Sequence, residues 1–154
     1  MNDLVVEGLS LKERAAFTTW FRGNASAVDF ADMLVSATHV WDDLVDGDKE
    51  VPPELINKAF MVAFIGLWRN EFFAAHAPEL IPLLEQAIND WMDANQLEKE
   101  GNLPAAFTLR CAFATPIIRC AYLIGGHDWG RAASMDIRRV IFDDYNDYVK
   151  EHGG

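Results

Sequence analysis

The sequence predicts an all-α protein, a compact bundle of about six helices on short loops. Three observations predict it. Apolar residues recur at helical spacing along most of the chain. No alternating strand of convincing length occurs, and no Asn-Gly or Asp-Gly turn lies between two β-rich runs. Helix caps and stops punctuate the chain at intervals that suit helices of ordinary length. With 154 residues, 51% of them hydrophobic and 12% aromatic, the composition is globular. The length suits one helical domain, residues 1–154.

Taken in order, Ser10 with Glu13 three positions on forms a capping box for a first helix from Leu11 to about Phe21, ended by Gly23-Asn24. Ser26 is the expected N-cap of a second helix, which runs to about Val45 and stops at Gly47. Pro52-Pro53 opens a third helix, reaching about Trp68 and breaking near Arg69-Asn70. Asn70 caps a short helix through His76, and a fourth helix starts near Pro78 and ends before Gly101. A fifth spans about Leu103 to Ile124, kinked at Pro116 and ended by Gly125-Gly126. A sixth runs from about Trp129 to Glu151.

Asp+Glu number 24 against Lys+Arg 13, a formal net charge of -11. This argues against nucleic acid as a direct ligand, because phosphate binding needs a Lys/Arg face. It also argues against docking on an anionic membrane. It permits metal cations or a basic protein partner. Met1-Asn2-Asp3-Leu4 shows no basic targeting region, and the longest apolar stretch, Phe60 to Trp68, is far short of the ~20 residues of a membrane span. On one helix, Cys111 and Cys120 would stand about 13.5 Å apart along the axis, too far for a disulfide at ~4.4–6.8 Å between Cα atoms. Two buried thiols in a cytoplasmic protein are expected.

The most informative segment is His39-Val40-Trp41-Asp42-Asp43-Leu44-Val45-Asp46-Gly47-Asp48. Asp29, Asp32, Ser36, His39, Asp43 and Asp46 share one face of the second helix. Asp42, Asp43 and Asp46 sit in its last turn, where the dipole is negative, and Asp42 and Asp46 are like charges at i, i+4. The cost is about 1–3 kcal/mol. A divalent cation would offset it directly, Mg²⁺ being bound by one or two carboxylates with water and phosphate oxygens. Lys49, or an arginine from another helix, is the alternative offset. A second cluster, Asp143, Asp147 and Glu151, is spaced i, i+4, i+8 toward the end of the sixth helix, with Arg139 a candidate partner of Asp143. His39, one turn before Asp43, is either a structural histidine or a general base.

Asp42-Asp43-Leu44-Val45-Asp46 resembles the DDxxD motif of the all-α class I terpenoid (isoprenoid) synthases, and Asp143 to Glu151 resembles their second acidic motif, with Asp147 where Ser or Thr is usual. The resemblance implies a truncated terpenoid-synthase-like fold. It implies Mg²⁺ as cofactor and a diphosphorylated small molecule as ligand. Asp42, Asp43, Asp46, Asp143, Asp147 and Glu151 would be metal ligands, and Arg138, Arg139, Arg110 or Arg119 would contact diphosphate. As an enzyme, such a protein would be a Mg²⁺-dependent diphosphate hydrolase or lyase. The pairs Asp29/Asp32, Asp43/Asp46, Asp90/Asp93 and Asp144/Asp147 are similar to the paired acidic motifs of all-α nucleotide pyrophosphatases, which use mostly Glu. The chain also looks like small phage and prophage proteins, a resemblance that implies no activity. Acidic proteins of that type can act without catalysis by occupying a basic surface on a partner.

No EF-hand, P-loop, GxGxxG, HExxH or GxSxG pattern is present, and His39, His76, His127 and His152 lack zinc spacing. Asn89, Asp93, Gln96 and Glu100 form one helix face behind Leu84, Ile88, Trp91 and Met92, expected to meet solvent, or to line a central polar pocket if it faces the second helix. Phe60, Phe64, Trp68, Phe72, Phe73, Phe107 and Phe113 are expected in the core. The other use of such aromatics is a ligand pocket or a homodimer interface.

Overall fold

Ser10 opens α1 (Leu11–Trp20) with the expected capping box: its hydroxyl accepts from the Glu13 amide at 3.1 Å, and the Glu13 carboxylate accepts from the Ser10 amide at 3.0 Å. The structure is a computed structural model that describes residues 8–47 and 49–153. Met1 to Leu4 and Asp48 therefore lie outside the described residues. The protein is all-helical, with no strand among the described residues. Among the described residues, rods of ten residues or more number five rather than about six: α1, α2 (Ala25–Asp46), a continuous helix over 53–69, α5 (Glu71–Lys99) and α7 (Ala114–Ile141). Two shorter helices, α6 (Leu103–Arg110) and α8 (Tyr145–Gly153), complete the set. The chain divides into two units between Ala77 and Pro78.

In the first unit, Arg22 (φ 51°) and Gly23 (φ 75°) turn the chain left-handed after α1. Phe17 packs edge-on against Trp20 and Phe21, with centroids 5.1 and 5.6 Å apart. The N-cap of α2 is Asn24, whose Oδ1 accepts from the Ala27 amide at 3.0 Å, and not Ser26 as expected. Gly47 ends α2 in the left-handed conformation (φ 68°) and donates to the Asp43 carbonyl, as its sequence position predicts. Pro53 starts α3 (Pro53–Met61), which passes through a π-helical turn (Val62–Gly66) into α4 (Leu67–Arg69). The Leu67 amide reaches back five residues to the Val62 carbonyl. A Cβ on Gly66 would lie 3.1 Å from Met33 Sδ, so glycine lets the π turn approach α2 closely.

Ser26 has a different use from the expected cap. Its hydroxyl accepts from the Phe72 amide at 2.9 Å, while Asn70 Oδ1 accepts from the Phe73 amide at 2.8 Å. Asn70 Nδ2 donates to the Ser26 carbonyl at 2.8 Å. Asn70 is buried, so this knot satisfies the first amides of α5 and fixes them against the start of α2. Phe30 stacks on Phe73 at 5.6 Å beneath it. The expected new start near Pro78 is not found, because α5 runs unbroken through Pro78 and Pro82. The two prolines are one turn apart, which confines the lost hydrogen bonds to neighbouring turns. Buried Phe72, Phe73, Ala77, Leu80 and Ala87 hold the helix on both sides of them.

In the second unit the expected fifth helix is broken at residues 111–113, so Pro116 falls in the first turn of α7, where proline is tolerated, rather than at a kink. Gly126 (φ 84°, ψ -175°) interrupts α7 where a glycine stop is predicted. Tyr122 lies against Gly130 and Trp129 against Gly125, so closely that a Cβ on either glycine would collide with the ring. Phe142 leaves the helix in extended conformation, and the expected single rod to Glu151 breaks at residues 142–144. Residues 103–152 contain an 18-residue window, mean hydropathy 1.3, apolar enough to cross a membrane by length and composition. It exceeds the Phe60 to Trp68 stretch, but the breaks at 111–113, Gly126 and 142–144 divide the segment it lies in. Cys111 is half-buried, Cys120 buried, and both are free thiols.

Asn70→Ala removes a cap and leaves buried partners unsatisfied, and is expected to cost about 1–3 kcal/mol, read as a lower urea midpoint. Exposed Asn89→Ala supplies the baseline, and equal midpoints for the two would contradict the knot. Gly130→Ala, which drives a methyl into Tyr122, is expected to destabilise by about 1–3 kcal/mol in the same assay.

Candidate functional site

Helix α2 carries the first acidic cluster. Asp42 and Asp43 are half-buried and Asp46 is exposed. Lys49 Nζ stands 3.3 Å from Asp43 Oδ2, so the neighbour in sequence supplies the offset for that carboxylate. Further up the helix, Arg14 bridges Asp29 at 3.3 Å and Asp32 at 3.6 Å. Asp32 Oδ1 also accepts from the Leu9 amide at 2.6 Å. His39 is exposed.

The second cluster is not one helix face. Asp143 lies in the break before α8, while Asp147 and Glu151 are on α8 itself. Asp144 caps that helix, its Oδ1 accepting from the Asn146 amide at 2.8 Å and the Asp147 amide at 3.1 Å. Asp144 and Asp147 thus sit at a helix N-terminus, where the dipole favours them, and not at a costly C-terminus. Lys150 stands 3.6 Å from Asp147. Arg139 pairs with Asp136 at 3.3 Å rather than with Asp143. Among the described residues, no group of three His, Cys, Asp or Glu side chains is placed to hold a metal ion. The two clusters belong to different units.

The candidate diphosphate arginines have protein partners. Arg119 is ion-paired with Glu79 and lies 5.9 Å from the centroid of the Tyr122 ring. Arg110 is taken up by a polar hub that pattern-reading missed. Glu98 accepts from Arg110 Nε at 2.8 Å, from Arg110 Nη2 at 3.0 Å and from the Tyr148 hydroxyl at 2.6 Å. His152 Nε2 stands 3.5 Å from the same carboxylate, and Arg110 Nη2 also donates to Asn95 Oδ1 at 2.8 Å. This ties α5, α6 and α8 of the second unit together. Burial works to raise the Glu98 carboxyl. The hydrogen bonds from Arg110 and Tyr148 and the charges of Arg110 and His152 outweigh it and hold the carboxyl below its ordinary value. Tyr148 is pushed up to about 12, by burial first and by Glu98 second. Cys111 rises to about 11, through burial and then the Asp143 charge, with Arg138 opposing. Neither it nor deeply buried Cys120, also raised by burial, has thiolate character near neutral pH.

The aromatic residues divide. Phe72 and Phe73 are buried as expected, and Phe107 and Phe113 are half-buried. Phe60, Phe64 and Trp68 are exposed, contrary to expectation, and Met61 and Ile65 are exposed beside them. Phe60 stacks on Phe64 at 4.8 Å, and Trp68 meets Phe73 edge-on at 5.3 Å. On α5, Asn89, Asp93, Gln96 and Glu100 meet solvent as expected, but Ile88 and Met92 do as well, and only Trp91 of its group is buried. No protein-family model, curated protein or solved structure matches the chain.

A carboxyl held below its ordinary value of 4.5 stabilises the fold above that pH, and the stabilisation is lost as pH falls through the lowered value. Acid unfolding of the wild type should therefore steepen below about pH 4.5. Glu98→Gln should flatten that limb and cost about 1–3 kcal/mol at neutral pH, read by circular dichroism. An unchanged acid limb in Glu98→Gln would contradict the hub.

Proposed function

We propose that this chain is a non-enzymatic interaction protein that engages a basic surface on a protein partner. The observation that carries the reading is the charge of α2: five aspartates and no lysine or arginine between Ala25 and Asp46. Arg14 bridges Asp29 and Asp32, Lys49 stands beside Asp43, and Asp29 and Asp46 are exposed to solvent. Such an array raises the association rate of a basic partner by long-range attraction. The same array repels nucleic acid and anionic lipid. Two free thiols, one deeply buried, suit a cytoplasmic setting.

Mg²⁺-dependent handling of a diphosphate is the competing reading, drawn from the terpenoid-synthase resemblance. It lacks a gathered ligand set among the described residues, and Arg110 and Arg119 are engaged by carboxylates of the chain itself.

The test is capture on immobilised full-length chain from a lysate of its own source, with the captured protein then purified and its association rate measured. Capture should weaken steeply between about 50 and 200 mM salt, as screening shortens the reach of exposed charges. The triple change Asp42→Asn, Asp43→Asn and Asp46→Asn should slow association roughly tenfold. A captured partner whose association rate ignores both salt and the triple change would overturn the proposal.

A further inference from the structure

The exposed apolar side chains of 53–69 are arranged rather than scattered. Phe60, Met61, Phe64, Ile65 and Trp68 follow the spacing i, i+1, i+4, i+5, i+8, which lays them along one stripe. Phe60 is 65% exposed, Phe64 67% and Trp68 55%. At ~150–250 Å² per aromatic side chain, those three alone leave on the order of 400 Å² of apolar surface open. That is the size of the largest patch on an ordinary monomer, which is often a functional surface. The π turn lies inside the stripe, and π turns of this kind recur at functional positions.

Charge decides what covers it. The chain as a whole carries -11, but residues 53–69 hold Glu54 against Lys58 and Arg69. The stripe therefore lacks the acidic excess that would draw a basic partner, and the rest of the protein repels an anionic one. A second copy suits it. The repulsion between two acidic chains is least where their near-neutral helices meet. An antiparallel pairing about Phe64 lays Phe60 across from Trp68 of the second copy. Such a two-fold contact is self-complementary, as isologous interfaces are. With Met61 and Ile65 added, the apolar stripe is on the order of 500 Å² per copy, within the reach of a small two-fold interface whose rim extends toward the ~800 Å² per partner of a standard one.

We infer that the chain forms a two-fold homodimer through the Phe60–Phe64–Trp68 stripe. The interface uses side chains of 53–69 and none of the α2 aspartates, and it stands whether or not a basic partner exists. The salt dependence has the opposite sign from partner capture: added salt screens the charge repulsion and strengthens the dimer.

Sedimentation equilibrium of the full chain should give the mass of two chains at tens of micromolar protein, with association tighter in 500 mM than in 50 mM salt. Phe60→Ser with Phe64→Ser should give a monomer with the wild-type helical circular dichroism. Position is tested without weakening the fold by Phe64→Cys, which should form an interchain disulfide within minutes of mild oxidation. Leu11→Cys, at a residue 90% exposed and off the stripe, should not. A wild type monomeric at 100 micromolar would overturn the inference. So would a double variant still dimeric, or equal crosslinking at residues 11 and 64.

Discussion

A chain with 24 carboxylates and 13 lysines and arginines has to place most of its acids where a donor or water can reach them, and that constraint shapes both halves of this protein. Four devices answer it. Glu13 and Asp144 turn carboxylates into helix caps. Arg14 serves two aspartates of α2 at once. Lys49 folds back on Asp43. Glu98, the most enclosed of the group, is met by Arg110, Tyr148 and His152 together. A partly buried carboxylate with three donors is costly to leave unpaired, so the hub is also what fixes α6 and α8 to the end of α5.

Local rules of the chain are readable where one residue acts on its near neighbours. The capping box at Ser10, the Pro52-Pro53 start, the stops at Gly47 and Gly101 and the Asp43–Lys49 pair all lie within a few residues, and all are found. Failures come where the deciding partner is remote. Ser26 resembles a cap because its hydroxyl can accept, yet it serves an amide 46 residues away. Pro78 resembles a helix start, but packing of Phe72, Phe73 and Leu80 outweighs a missing amide. Asp143, Asp147 and Glu151 share a helical period on paper. Asp144, three positions after the end of α7, begins a new helix and breaks that register.

The aromatic stripe escapes sequence reading for a related reason. Periodicity reports that residues share a face, but not whether that face has a partner. Phe72 and Phe73 find one in Phe30, whereas Phe60 and Phe64 find each other. Beyond the π turn, Trp68 meets Phe73 edge-on and remains more than half exposed. The result is a protein with two unlike surfaces, one acidic on α2 and one apolar on 53–69. The first suits fast, salt-sensitive encounter with a basic partner, and the second suits stable self-association.

Arg14 stands between Asp29 and Asp32, Lys49 beside Asp43 and Lys150 beside Asp147, and among the described residues no group of three carboxylates is placed to hold a metal ion. Titrating Mn²⁺ into ¹⁵N-labelled protein and following paramagnetic broadening of each amide tests this arrangement most directly. The expected result is weak broadening spread over exposed carboxylates, growing only at millimolar ion. Selective loss of the Asp42 to Asp46 amides, or of Asp143, Asp147 and Glu151, at a few micromolar Mn²⁺ would contradict it.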